Sequence, residues 1–288
     1  GSDGVVLELA AGAELSEPVQ ILHLASGAVD DLAYFPRTVI HLEERARAVV
    51  VETFASLGEA TYLRAPVLLA SLRTGAKLDL YQRQDEGAGG YHFQYSQVQV
   101  GREAQLLMAH VATGGRQGRQ DLAVNQTGPG AHTDLLGVYL GSGRQVLDNH
   151  TSLNHRAPQC TSRQVYKGIL DDHALGIFNG RIFVQREAQR TDAQQSNRAL
   201  LLSGDARINT KPQLEIFADD VRCTHGATVG QLDPDQQFYL RARGIGEHEA
   251  RAMLTMAFVG EALMSIRLAA WRAAMEQELG QRFGVLDT

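Results

Sequence analysis

Lysine is almost missing from this 288-residue chain: Lys77, Lys167 and Lys211 are the only ones, and none follows a glycine. A Walker A loop sets its lysine directly after a Gly-rich turn, so that motif is excluded and any nucleotide hydrolysis belongs to another polypeptide. Cysteine is scarcer still. Cys160 and Cys223 cannot build a disulfide framework and fit a reducing compartment, here expected to be the cytoplasm. No basic excess exists either: the formal net charge is −6, which argues against a nucleic-acid partner. The most apolar late window, Met253 to Trp271, is interrupted by Glu261 and Arg267, so no membrane span is expected. A basic n-region followed by an apolar h-region is absent. Gly1-Ser2 reads as a cloning scar, and the strand-like runs that follow at once read as the start of a piece cut from something longer.

Motifs of catalysis are missing as well. The chain has no Gly-x-Ser-x-Gly elbow, no His-Glu-x-x-His helix and no Gly-x-Gly-x-x-Gly turn. Glycoside hydrolysis needs two carboxylates across a cleft. The adjacent pairs Asp171-Asp172 and Asp219-Asp220 would face opposite ways on a strand. The expectation is a protein that is not an enzyme.

What is present is core. With 44% hydrophobic and 21% charged residues the chain can bury a large interior, as one domain or two. Short strand-like runs recur roughly every dozen residues from Val5 to about Phe217, among them Thr38–Leu42 and Ala48–Phe54, with no amphipathic helix between them. Sandwich, barrel and parallel β-helix all fit that spacing. Continuous apolar runs such as VVV and LLMA favour strands stacked coil on coil. Glycines such as Gly101, Gly115, Gly130, Gly137, Gly143, Gly168, Gly176 and Gly180 read as corners. Asn179-Gly180 is a hairpin signal and allows some antiparallel pairing. After Gly244 and Gly246 the period changes to that of helices from Glu247 to Phe283. The expected division is an all-β core over 1–243 and a C-terminal helical subdomain over 244–288. Phe258, Leu263, Ile266 and Trp271 form a broad apolar stripe on those helices. Ordinary packing explains such a stripe; part of it could equally face a partner.

The stretch Lys211–Gly230, KPQLEIFADDVRCTHGATVG, carries the sharpest chemistry. Residues i and i+2 of a strand share a face, so Cys223 and His225 aim at one point. Thiolate and imidazole suit iron, zinc or an iron–sulfur cluster. Two donors are half of what a closed site needs, and a small buried cysteine beside a turn histidine is the plain alternative. A second group, Asp148, His150, His155 and Cys160, lacks zinc-site spacing and reads as polar residues of a corner.

The pieces Cys160–Gln164 (CTSRQ), Phe178–Gly180 (FNG), Thr210–Gly230 and Gln237–Ile245 (QFYLRARGI) resemble the SufB/SufD family of the SUF iron–sulfur cluster assembly machinery, on its SufD side. The resemblance is strong from about Val146 to Ala262 and diffuse before it; an N-terminal helical region of the family has no counterpart here. It implies a right-handed parallel β-helix flanked by helices, acting as a scaffold. It implies pairing with SufB through β-helix ends, binding of the SufC ATPase through the C-terminal helices, membership of a SufBCD complex, and a homodimer when alone. His225 matches a histidine placed at the SufB–SufD interface and Cys223 a nearby cysteine. Both are expected to share a nascent iron–sulfur cluster, or iron, with the partner chain, with nothing stably bound to the isolated chain. A β-helix enzyme acting on polysaccharide is the alternative, and a stand-alone metal store a weaker one.

Overall fold

A computed structural model of the chain describes residues 4–26 and 29–284. Gly1-Ser2, read above as a scar, lies outside the described residues. The chain begins with β1 (Gly4–Leu9), β2 (Val19–Ala25), β3 (Leu32–Tyr34), β4 (Arg37–Leu42), β5 (Arg47–Ser56), β6 (Tyr62–Arg64), β7 (Val67–Leu72), β8 (Lys77–Asp85) and β9 (Gly90–Val100). It continues with β10 (Gln105–Ala112), β11 (Gln117–Gln126), β12 (His132–Gly141), β13 (Val146–His155), β14 (Thr161–Leu170), β15 (Leu175–Val184), β16 (Asp192–Leu201), β17 (Arg207–Ile216) and β18 (Arg222–Gly230). Among the described residues three helices follow, α1 (Pro234–Ala242), α2 (Glu247–Leu263) and α3 (Ala269–Phe283).

Among the described residues every strand pairing is parallel. One sheet, here sheet A, runs β1-β4-β7-β9-β11-β13-β15-β17 with β3 and β6 beside it; sheet B runs β18-β16-β14-β12-β10-β8-β5-β2. The chain alternates between them, so the protein is mostly a parallel β-solenoid, with the three helices after it. Asn179-Gly180 lies in the middle of β15, and the hairpin reading fails there because both neighbours of that strand run parallel to it.

Alternation sets the interior. In β15 every second residue, Gly176, Phe178, Gly180, Ile182 and Val184, is buried. Successive coils stack in register, which lines up Val98, Val124, Leu153, Ile182 and Leu214 as one aliphatic column. Each fully buried member of such a column stabilises the fold by about 1.5–3 kcal/mol relative to exposure. Gly115, Gly130 and Gly143 are corner residues with positive φ. Gly137 and Gly168 are not corners. Gly137 stands in register with Tyr166 and Gly168 with Tyr139, and a Cβ at either would fall 2.2 or 2.3 Å from the neighbouring ring. The lumen therefore accepts two tyrosines by setting each beside a glycine.

Polar side chains also fill the lumen. Glu52 accepts from Thr38 at 2.6 Å and from Gln82 at 2.7 Å, while Glu86 pairs with Arg64 at 2.8 Å and His92 at 3.0 Å. Burial alone would raise the Glu86 carboxyl; the charge and hydrogen bond of His92, the charge of Arg64 and the hydrogen bond from Gln84 outweigh it and hold the group at about 2. Burial, with the charge of His92, pushes His110 down to about 3, and burial pushes His155 down to about 4.

Helices α2 and α3 cover the outer face of sheet B, where Leu107, Leu136 and Ile169 meet Val259, Leu263 and Leu279. Lys167 of β14 donates to Phe258 O at 2.6 Å and to Glu261 at 2.5 Å, and Tyr81 Oη accepts from Leu268 N at 3.1 Å. The β region ends at Gly230 and helix begins at Pro234, earlier than the expected boundary at 243. Asp233 caps α1 by accepting from Asp235 N, with Pro234 in its first turn, a start signal present in the sequence. No helix among the described residues is long and apolar enough to cross a membrane.

Candidate functional site at the open end of the solenoid

Strands β17 and β18 end their sheets, and beyond Gly230 the chain leaves for α1 instead of laying down another coil. In β18 only Cys223 is half-buried; every other residue is exposed. Register places His225 on Gln195, itself on Gln164, Leu135 and Met108, all lumen positions. Cys223 continues the column Leu106, Thr133, Ser162 and Ala193. Thiol and imidazole therefore sit at adjacent columns on the inward side of the last strand, where the lumen meets solvent.

Beneath His225 runs a ladder of amides. Gln195 Nε2 donates to Gln164 Oε1 at 2.9 Å, and Gln164 Nε2 to Thr151 Oγ1 at 2.5 Å. Gln195 Oε1 is buried without a partner. Burial pushes the Cys223 thiol up, and the carboxylate of Asp192 adds to that, so the isolated chain keeps this sulfur as the less reactive thiol. The pair supplies two donors, and among the described residues no group of three or more His, Cys, Asp or Glu side chains is placed to hold a metal ion. The same end offers the outer backbone edges of two terminal strands, with Ile216, Phe217 and Val229 exposed beside them. Pro212 removes one N–H from β17, a residue that belongs on edge strands and that marked this strand as terminal in the sequence.

The remaining expected residues lie elsewhere. Leu263, Ile266 and Trp271 are buried against sheet B, with Phe258 partly buried beside them. In this chain these four residues dock the helices on their own sheet. Helix surface left open carries Phe238, Tyr239, Met253 and Met264, and α1 buries no residue at all. Asp148 and His150 face outward from β13, paired at 2.9 Å, whereas His155 faces the lumen at 3.0 Å from Ser162 and Cys160 is fully buried. That group does not assemble. A groove of about 450 Å³ on sheet A has Asp121 as its one lining carboxylate, bound by Arg119, so no free pair of acids stands across it.

The architecture is thus a parallel β-solenoid ending in uncovered strands that carry a thiol and an imidazole. The chain belongs to the SufB/SufD family: the family model described as "SUF system FeS cluster assembly, SufBD core domain" matches residues 24–258. It is 32% identical to the iron–sulfur cluster assembly SufBD family protein slr0076 of Synechocystis over 96% of this chain and 63% of that one. Against the iron–sulfur cluster assembly protein SufD of Escherichia coli it is 32% identical over 94% of this chain and 64% of that one. Against the chloroplastic protein ABCI7 of Arabidopsis thaliana it is 37% identical over 79% of this chain and 48% of that one. The chain spans less than two thirds of the length of these curated relatives.

Proposed function

We propose that this chain is a non-catalytic scaffold subunit of iron–sulfur cluster assembly, whose last coil pairs with a SufB-type subunit and whose helices engage the SufC ATPase. The observation that carries the reading is the position of His225 and Cys223: an incomplete donor pair on the last strand, beside unpaired backbone, needs its other ligands from a second chain. The nascent cluster is cargo, held between chains and released. His225 contributes a neutral imidazole nitrogen and Cys223 a sulfur that loses its proton on binding metal. A second copy of this chain would cover the same edges when SufB is absent.

The link to the ATPase runs through α1. Only residues 231–233 separate β18 from that helix, and α1 exposes Phe238 and Tyr239. A partner that moves α1 displaces the strand that carries both donors, while α2 and α3 stay fixed on sheet B by the Lys167 and Tyr81 contacts. His225→Ala in the full complex tests the reading. The complex is expected to form normally and cluster assembly in cells to be lost; normal assembly with an intact complex removes the ligand role. Phe238→Ala with Tyr239→Ala should release SufC while β-helix pairing persists.

A further inference from the structure

On the opposite side of β18 from Cys223 and His225 lies a cavity of about 200 Å³ between the outer face of β14, β16 and β18 and the end of α2. Lys167 lines it with its side chain only 2% exposed, and Arg163 and Arg198 stand around the same space. Lys167 and Arg198 are register neighbours on adjacent strands, where like charges repel. One carboxylate lines the cavity: Glu261, 2.5 Å from Lys167 and 3.5 Å from Arg198. Its hydrogen bond from Lys167, and then the charge of Lys167, hold the carboxyl below its usual range, with Arg198 and Arg163 adding. Three cations thus share one acid. Gln194, Ser196 and Thr224 add neutral donors to the wall, beside Gln164, Val165 and Gln195.

We infer that this cavity binds a small tetrahedral oxyanion, inorganic phosphate or sulfate, and that Glu261 is its built-in competitor. Arginine and lysine around hydroxyl and amide donors is the chemistry that recognises such anions, through short charge-assisted hydrogen bonds. The volume suits a tetrahedral anion with a few waters, each of which takes about 30 Å³ in the liquid. Glu261 is 62% exposed, so its carboxylate can swing out to solvent while Phe258 O still holds Lys167. Thr224 lies between Cys223 and His225 in sequence and lines the cavity, so an anion there rests on the strand that carries both donors.

Isothermal titration calorimetry on the 288-residue chain, with sodium phosphate or sodium sulfate in a low-chloride buffer at fixed ionic strength, tests this. Removing the competing charge in Glu261→Gln should tighten binding about tenfold, and Arg163→Gln with Arg198→Gln, both at exposed positions, should weaken it about tenfold or more. Thermal unfolding of each variant confirms that the fold is kept. Binding of either anion with that pattern supports the site, and the tighter of the two identifies the source. Equal affinity for wild type and Glu261→Gln, unchanged affinity in the double variant, or no binding to either protein overturns it. Binding of a nucleoside triphosphate without binding of the simple anions also overturns it.

Discussion

Strands β16 and β18 follow the same inward–outward alternation and lie in perfect register, yet one is core and the other is surface. Gln195 of β16 is 3% exposed, and its register neighbour His225 is exposed. Nothing in the residues of β18 produces the difference; it comes from the missing coil above. A solenoid buries each turn with the next, so whichever turn is last leaves its lumen residues exposed. The comparison separates positions whose loss harms the fold from positions whose loss leaves it intact.

The aliphatic column gives the largest expected contrast. Ile182→Ala, at a site with no exposure, should cost about 4 kcal/mol in urea unfolding, and Leu214→Ala one coil on about 1.5 kcal/mol. Equal costs would mean the last coil is as well packed as the others. Next comes acid. His110 and His155 are held neutral in the fold at about 3 and 4, while the unfolded chain protonates them near 6.5. The unfolded state then binds more protons, so stability falls as pH drops below about 6.5, by about 1.4 kcal/mol per pH unit for each histidine, and levels off below about pH 3. Replacing both with glutamine should flatten that slope between pH 6 and 4 in chemical unfolding.

Smaller effects follow from glycine. Gly137→Ala drives a methyl into the ring of Tyr166 and should cost about 1–3 kcal/mol. Gly226→Ala on β18 meets nothing within 4 Å and should stay within about 0.5 kcal/mol by thermal unfolding. Smallest of all is His225→Ala, expected to leave the unfolding midpoint in place while abolishing cluster assembly in the complex. A marked loss of stability there would assign His225 to the lumen rather than to a shared site.

Much of this was legible in the sequence. Short apolar runs and corner glycines pointed to the stacked architecture, and the step from Cys223 to His225 gave their common face. Other features depended on neighbours a coil away. Gly137 and Gly168 read as corners because a single strand does not show the tyrosine beside it. Leu263, Ile266 and Trp271 read as a surplus stripe because the width of sheet B that they cover was not visible. Two signals were present and overlooked: Pro212, which marks an edge strand, and Asp233-Pro234, which begins α1 before the expected domain boundary.

Coils are laid down in chain order from β1 to β18, so the long axis of the solenoid has a direction, and that decides how copies can join. Stacking last coil on another copy's opposite end would repeat the same contact without limit and give a fibre. Two chains meeting through their last coils lie head to head, related by a two-fold rotation, and the contact uses itself up. A pairing of two such rods through β18 would therefore close on itself and bring the two donors of one chain opposite the equivalent strand of the other.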